Sequence, residues 1–212
     1  FAAGNDGSDG TSVGAPSTAK NAVSVGALGH GGSTSVAGFS SRGPAADGRL
    51  QPDIMAPGTG TRSAEGDSDN SDTVDPPQVA TLSGTSMATP TVSGGTALLR
   101  QYFTDGFYPT GARNAADEYV PTGALMKAVM INGAETDLAG PVPSNDYGWG
   151  RMFLDNNLFF SAGAGGNPDG RYLRFWDVPK AAGLQTGQTD TYQVDVATGE
   201  ELRRGPVPVS EL

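Results

Sequence analysis

The run Leu82-Ser83-Gly84-Thr85-Ser86-Met87-Ala88-Thr89-Pro90 sets one serine between a glycine-linked strand end and the start of a helix. A hydroxyl placed there can act as a nucleophile. Free backbone N–H groups and the positive end of the helix dipole face whatever it attacks, so an anion forming at that point is stabilised. Taken alone, Ser86 is explained as readily as an N-cap, the commonest reason for Ser or Thr before a helical pattern. The run is not the nucleophile elbow of α/β-hydrolases, since Gly84-Thr85-Ser86-Met87-Ala88 carries Ala where that motif has its second Gly.

The elements that must position Ser86 are legible on either side of it. Val79-Ala80-Thr81-Leu82 has the apolar, β-branched character of a short strand, and Ala88, Val92, Gly95, Leu99 and Phe103 recur at helical spacing. Pro90 falls in or just after the first turn. Its missing N–H and its ring disturb the bond to the Ser86 carbonyl four residues back, so an irregular first turn is expected. Gly94 and Gly95 are poor helix formers, and the pair predicts a buried helix pressed closely against a neighbour.

Around these residues the chain resembles the subtilisin family, the subtilases. Gly84-Thr85-Ser86-Met87-Ala88-Thr89-Pro90 is similar to the family's serine motif residue for residue. Phe1-Ala2-Ala3-Gly4-Asn5 resembles the strand end that supplies its oxyanion-hole asparagine. Ala15-Pro16 through Val23-Ser24-Val25-Gly26-Ala27 resembles the turn and strand that follow. Phe39-Ser40-Ser41-Arg42-Gly43-Pro44 and Pro52-Asp53-Ile54-Met55-Ala56-Pro57-Gly58 match the next loop and strand in the same order.

The resemblance implies a serine endopeptidase in which Ser86 attacks the scissile carbonyl. A histidine would take its proton and a buried aspartate would orient the histidine. It also implies that the Ser86 N–H and the Asn5 side-chain amide hold the tetrahedral oxyanion. Ala2, Ala3 and Gly4 then correspond to the small-residue wall of the pocket for the side chain preceding the cleaved bond. Asn5 has a plainer account as well, because Asn5-Asp6-Gly7 is good turn chemistry in itself.

The family's aspartate and histidine motifs lie upstream of these segments, and neither occurs in the sequence. The chain therefore reads as the C-terminal part of a longer enzyme, nearly inactive alone, with the missing N-terminal part as its partner. His30, the sole histidine, sits in Gly29-His30-Gly31-Gly32-Ser33. That setting fits neither the motif nor its order, and a solvated loop residue is expected. Without a base a serine hydroxyl is a weak nucleophile at neutral pH.

Composition bounds the partners. A net charge of −10 disfavours nucleic acid and anionic membrane surfaces, and no apolar run approaches a membrane span. The absence of Cys leaves the redox compartment open, so an extracellular, secreted location rests on the resemblance alone. Glu65-Gly66-Asp67-Ser68-Asp69-Asn70-Ser71-Asp72 gathers carboxylates as hard-cation loops do, so it has two readings, the site of a structural calcium ion and, more plainly, a solvated acidic loop. No cofactor is needed for the chemistry.

Downstream, Pro121 to Gly133 shows a cap residue, apolar residues at 124, 125, 128 and 129, and a terminating Gly, the pattern of a short amphipathic helix in which Met126 and Met130 fill the core. Tyr147-Gly148-Trp149-Gly150-Arg151-Met152 resembles the family's Gly-x-Gly turn leading to a closing helix near Leu154 to Phe160. Ser161 to Gly170 reads as a linker. Beyond it Tyr172, Arg174 and Trp176 alternate with Leu173 and Phe175, and Tyr192, Val194 and Val196 alternate with Gln193 and Asp195, as half-exposed strands would. The tail, with Pro206 and Pro208, departs from the family pattern.

The fold class expected is α/β: the resemblance implies a partial subtilisin-like parallel sheet flanked by helices, followed by the start of a β-sandwich domain similar to the one that a group of larger subtilases carries. Residues 1–160 form the catalytic portion, 161–170 the linker, and 171–212 an incomplete β-rich domain. Two other functions stay open. One is a non-catalytic module that binds peptides or a partner chain through the surviving pocket; the other is an esterase or peptide ligase that resolves the same acyl-enzyme differently.

Overall fold

A computed structural model describes residues 1–66, 79–160, 173–178 and 183–193. These fall into two compact units, one formed by Phe1–Gly95 with Ala134–Met152 and the other by Thr96–Gly133 with Phe153–Leu212. Residues 67–72 of the acidic loop, the linker 161–170, and Tyr172, Val194 and Val196 lie outside the described residues.

Parallel strands form the centre of the first unit. β1 (Val25–Leu28) pairs with β2 (Ile54–Pro57) in the register Val25↔Ile54 to Leu28↔Pro57. Single parallel bridges extend the ladder on both sides, Ala2↔Val25 at one edge and Met55↔Arg151 at the other. Both strands are buried along almost their whole length, which is why they read as continuous apolar runs rather than alternating ones. Leu28, Met55 and Tyr147 form a core cluster onto which Val36, Leu138 and Val142 pack. A turn closes over 144–148, Ser144 and Gly148 exchanging backbone hydrogen bonds, so it starts three residues ahead of the segment 147–152 that the sequence indicated, and the chain then brings Arg151 to β2. The closing helix after it does not form at full length: Leu154–Asn156 makes a single 3-10 turn.

A second, antiparallel pair joins β3 (Thr61–Ala64) to β4 (Val79–Leu82) in the register Thr61↔Leu82. β4 lies where its β-branched residues predict. β3 was not foreseen, because Thr61-Arg62-Ser63-Ala64 is polar and its strand state comes from the partner it pairs with.

α1 spans Thr85–Thr104 and continues through Pro90. At its start the Gly84 carbonyl accepts from both Met87 N (3.0 Å) and Ala88 N (3.4 Å), a shared bond common at helix termini. Ala88, Val92, Gly95, Leu99 and Phe103 are all buried, the face the spacing indicated. The helix is not enclosed all round, though. Gly94 is exposed and a methyl there would meet nothing, while Leu98 is 51% exposed, so only Gly95 of the glycine pair is buried.

In the second unit, α2 (Gly123–Asn132) begins at the cap Thr122, whose hydroxyl accepts from Leu125 N, and ends at Gly133. Its buried side chains are Leu125, Met126, Val129, Met130 and Ile131; both methionines are core residues, and the exposed Ala124 lies off that face. Residues 173–178 take part in no strand among the described residues, which corrects the expected β-strand there. The alternation in the sequence is real, since Leu173, Phe175 and Asp177 are half-buried while Arg174, Trp176 and Val178 are exposed. Phe175 is held by aromatic packing, its ring 5.5 Å from Phe103, 4.8 Å from Tyr108 and 5.6 Å from Tyr119, and Asp177 by hydrogen bonds from Tyr119 and Thr122. The start of a β-sandwich is therefore not seen in the described part of 171–212.

Candidate active site

Ser86 is the second residue of α1, one position inside the helix and therefore not its cap. It is exposed, and neither its hydroxyl nor its backbone N–H meets a hydrogen-bonding partner among the described residues. Two connections fix its height above the sheet. Gly84 N donates to the Gly58 carbonyl at the end of β2 (2.8 Å), and Ser83 Oγ accepts from Gly60 N (2.9 Å). The approach at Gly58 admits no side chain: a methyl there would stand 2.6 Å from the Ala27 Cβ and 2.8 Å from the Gly84 carbonyl oxygen. Helix and strand meet at glycine because only backbone fits between them.

Asn5 arrives from the first strand segment, in which Ala3 N donates to the Val25 carbonyl and Val25 N to the Phe1 carbonyl. Its side chain reaches the opening of α1. Thr85 N donates to Asn5 Oδ1 at 2.9 Å and the Thr85 hydroxyl donates to the same oxygen at 3.0 Å. A backbone N–H can only donate, so the oxygen of the amide must face Thr85 and the NH2 group must point elsewhere. The free Nδ2 lies over Gly84, 3.4 Å from where a Cβ on that residue would stand. The structure thus brings Asn5 against the residue next to Ser86, leaving three N–H bonds without described partners near the serine: two on Nδ2 and one on the Ser86 backbone.

The remaining residues singled out in the sequence fall as follows. Ala2 and Gly4 are half-buried and keep accessible surface, whereas Ala3 is 1% exposed and belongs to the core. His30 is exposed in the turn after β1. Glu65 is exposed, and no group of three or more His, Cys, Asp or Glu side chains converges among the described residues. No described helix is long and apolar enough to cross a membrane.

Two residues about the site went unnoticed in the sequence. Thr85 was read only as part of the serine motif, yet its hydroxyl both donates to Asn5 Oδ1 and accepts from Gly4 N (3.3 Å). Ser41 touches the asparagine turn from 35 residues away, a contact that no local pattern announces.

Parallel strands that deliver an asparagine to the opening of a helix, one residue ahead of an exposed serine, define an α/β protein of the subtilisin type. The chain belongs to the subtilase family, whose family model matches residues 1–150. Among its relatives, a serine protease/ABC transporter B family protein, tagD, of Dictyostelium discoideum is 48% identical over 109 residues, covering 47% of this chain and 6% of that protein. Serine protease AprX of Bacillus subtilis is 39% identical over 110 residues, covering 47% of this chain and 25% of AprX. Among solved structures, the Clostridium perfringens CspB protease superposes with a TM-score of 0.51 at 29% identity over 70% of this chain and 28% of that one. The chain spans no more than a quarter of the length of either curated relative.

Proposed function

We propose that this chain is the serine- and oxyanion-bearing part of a serine endopeptidase acting on proteins or peptides. The observation that carries the reading is the tether of Asn5 Oδ1 to Thr85, the residue before Ser86, which leaves the amide Nδ2 over Gly84. Ser86 Oγ attacks the scissile carbonyl, its proton passes to a base, and the developing oxyanion accepts from the Ser86 N–H and Asn5 Nδ2. The amine then leaves with a proton returned by the same base, and water resolves the acyl-enzyme. Ala2 and Gly4 border the space for the side chain preceding the cleaved bond, with Ala3 holding the strand behind them.

The base and the residue that orients it come from outside this chain, in a preceding part of the same enzyme. Segment 1–212 by itself is therefore expected to be nearly inactive. Secretion and a structural calcium ion near 65–72 complete the proposal; they rest on the family resemblance and on the acidic run of the sequence. An organophosphonate should label the full-length gene product at Ser86, and Ser86→Ala should abolish labelling and peptide cleavage together. Unchanged cleavage by Ser86→Ala rules the mechanism out.

One observation favours a second reading. The sole histidine is exposed in the turn after β1, away from the family's motif, and the family's aspartate and histidine motifs do not occur in the sequence, which a non-catalytic peptide- or partner-binding module would not need. The coding sequence immediately upstream separates the two, because the endopeptidase requires an aspartate and a histidine motif there. An esterase or ligase outcome is tested by comparing amide with ester substrates, and water with amines as acceptors, on the full-length product.

A further inference from the structure

Ser41 is fully buried, 0% exposed, and it holds the backbone on both sides of Asn5. Its N–H donates to the Gly4 carbonyl (2.9 Å), the peptide group before Asn5. Its Oγ accepts from the Asp6 N–H (3.0 Å), the peptide group after Asn5. The turn is thereby clamped at two points that flank a single α-carbon. Gly4 makes room for the clamp. Its φ of +117° lies where side chains are disfavoured, and a methyl there would stand 2.7 Å from Ser41 Oγ. Thr85 fixes the far end of the Asn5 side chain by its oxygen, but it leaves the near end free; the peptide groups around the α-carbon decide where the side chain starts.

We propose that Ser41 is a positioning residue for oxyanion stabilisation, acting through the Asn5 turn without touching substrate. The inference rests on the Ser86–Asn5 reading above. A donor preorganised toward developing charge loses its effect when its aim is relaxed, and misplacement by about 1 Å can cost about a hundredfold in rate. The loss falls on the transition state and leaves ground-state binding alone, so it reads in kcat and not in KM.

The test uses the full-length gene product with Ser41→Ala, which removes the acceptor for Asp6 N and leaves the Ser41 backbone bond in place. The expected result is a fall of about tenfold to a hundredfold in kcat with KM within about twofold. Affinity for a peptide aldehyde, whose carbonyl oxygen becomes an oxyanion when Ser86 adds, should weaken in proportion to kcat/KM. In an Asn5→Ala background the same substitution should change kcat by less than about twofold, since there is no amide left to aim. An equal loss of kcat in both backgrounds, or a loss that appears in KM alone, overturns the proposal. Should Ser41→Ala fail to fold, Ser41→Cys, which keeps the volume and weakens the acceptor, carries the same measurements. If Asn5→Ala itself leaves kcat unchanged, the oxyanion reading falls and not merely the role of Ser41.

Discussion

At the scale of single residues, the site is organised by which atoms are already engaged. Asn5 presents its NH2 because both donors of Thr85 occupy its oxygen, and Ser86 presents its N–H because the helix supplies no acceptor to its second residue. The same logic sets the expectation for Asn5→Ala in the full-length product. Removing one preorganised oxyanion donor costs roughly 10²- to 10³-fold in kcat, a magnitude established on a subtilisin, and KM should hardly move. Retention of full kcat by Asn5→Ala in steady-state peptide hydrolysis would contradict the role given to Asn5. Asn5→Asp should lose as much, because the carboxylate keeps the acceptor for Thr85 but offers the oxyanion no N–H.

At the scale of elements, the start of α2 is tied to a distant extended segment by one carboxylate. Asp177 accepts from Thr122 N (2.8 Å), from the Thr122 hydroxyl (2.5 Å) and from the Tyr119 hydroxyl (2.7 Å). A negative charge at a helix N-terminus also meets the positive end of the dipole. Burial pushes the Asp177 carboxyl up, but the hydrogen bonds from Thr122 and Tyr119 outweigh it and hold the group below its usual value of 3.8. A depressed carboxyl contributes stability above its unfolded pKa and loses it as pH falls through the folded one, so the contribution begins to fall below about pH 4. Tyr119 has the opposite sign. Burial first, and then the Asp177 carboxylate, push its hydroxyl up to about 12, so its contribution is complete below pH 10 and is lost as pH rises toward 12. Denaturant titrations of the chain should show Asp177→Asn flattening the acid limb of the stability profile and Tyr119→Phe flattening the alkaline limb. Superimposable profiles for wild type and variants would show that the contacts do not hold the segment.

At the scale of the whole molecule, two compact units share the chain, and each has its own tightly buried centre. In the first it is Leu28, Ile54 and Met55, all fully buried; in the second it is Leu99 and Phe103. The β3–β4 pair has no such centre, with Val79 and Leu82 half or more exposed. Local opening free energies follow buried apolar contact, so native-state amide exchange should be slowest for Ile54, Met55 and the second half of α1. It should be at least about tenfold faster for the amides of β3 and β4. Protection of the β3–β4 pair equal to that of β1 and β2 would contradict this ranking.

Much of this was written in the order of residues. The apolar spacing of Ala88, Val92, Leu99 and Phe103 determined α1 and its buried face, and Thr122 and Gly133 marked the ends of α2, because each signal acts within a turn or two of backbone; the strands at 25–28 and 54–57 were indicated by the family resemblance of the segments that contain them. The motif around Ser86 and the strand end at Asn5 likewise indicated which side chains to bring together. What tertiary structure alone decided are the contacts that close over long separations. Among them are the polar strand β3, which exists only through β4, and the clamp of Ser41 on the Asn5 turn. The docking of 173–178 by Phe175 and Asp177, where alternation suggested a ladder, and the exposure of one side of α1 despite Gly94-Gly95 belong with them. Alternation specifies which side chains turn inward, but a hydrogen-bonded ladder needs a partner backbone, and no pattern within a single segment can say whether one is there.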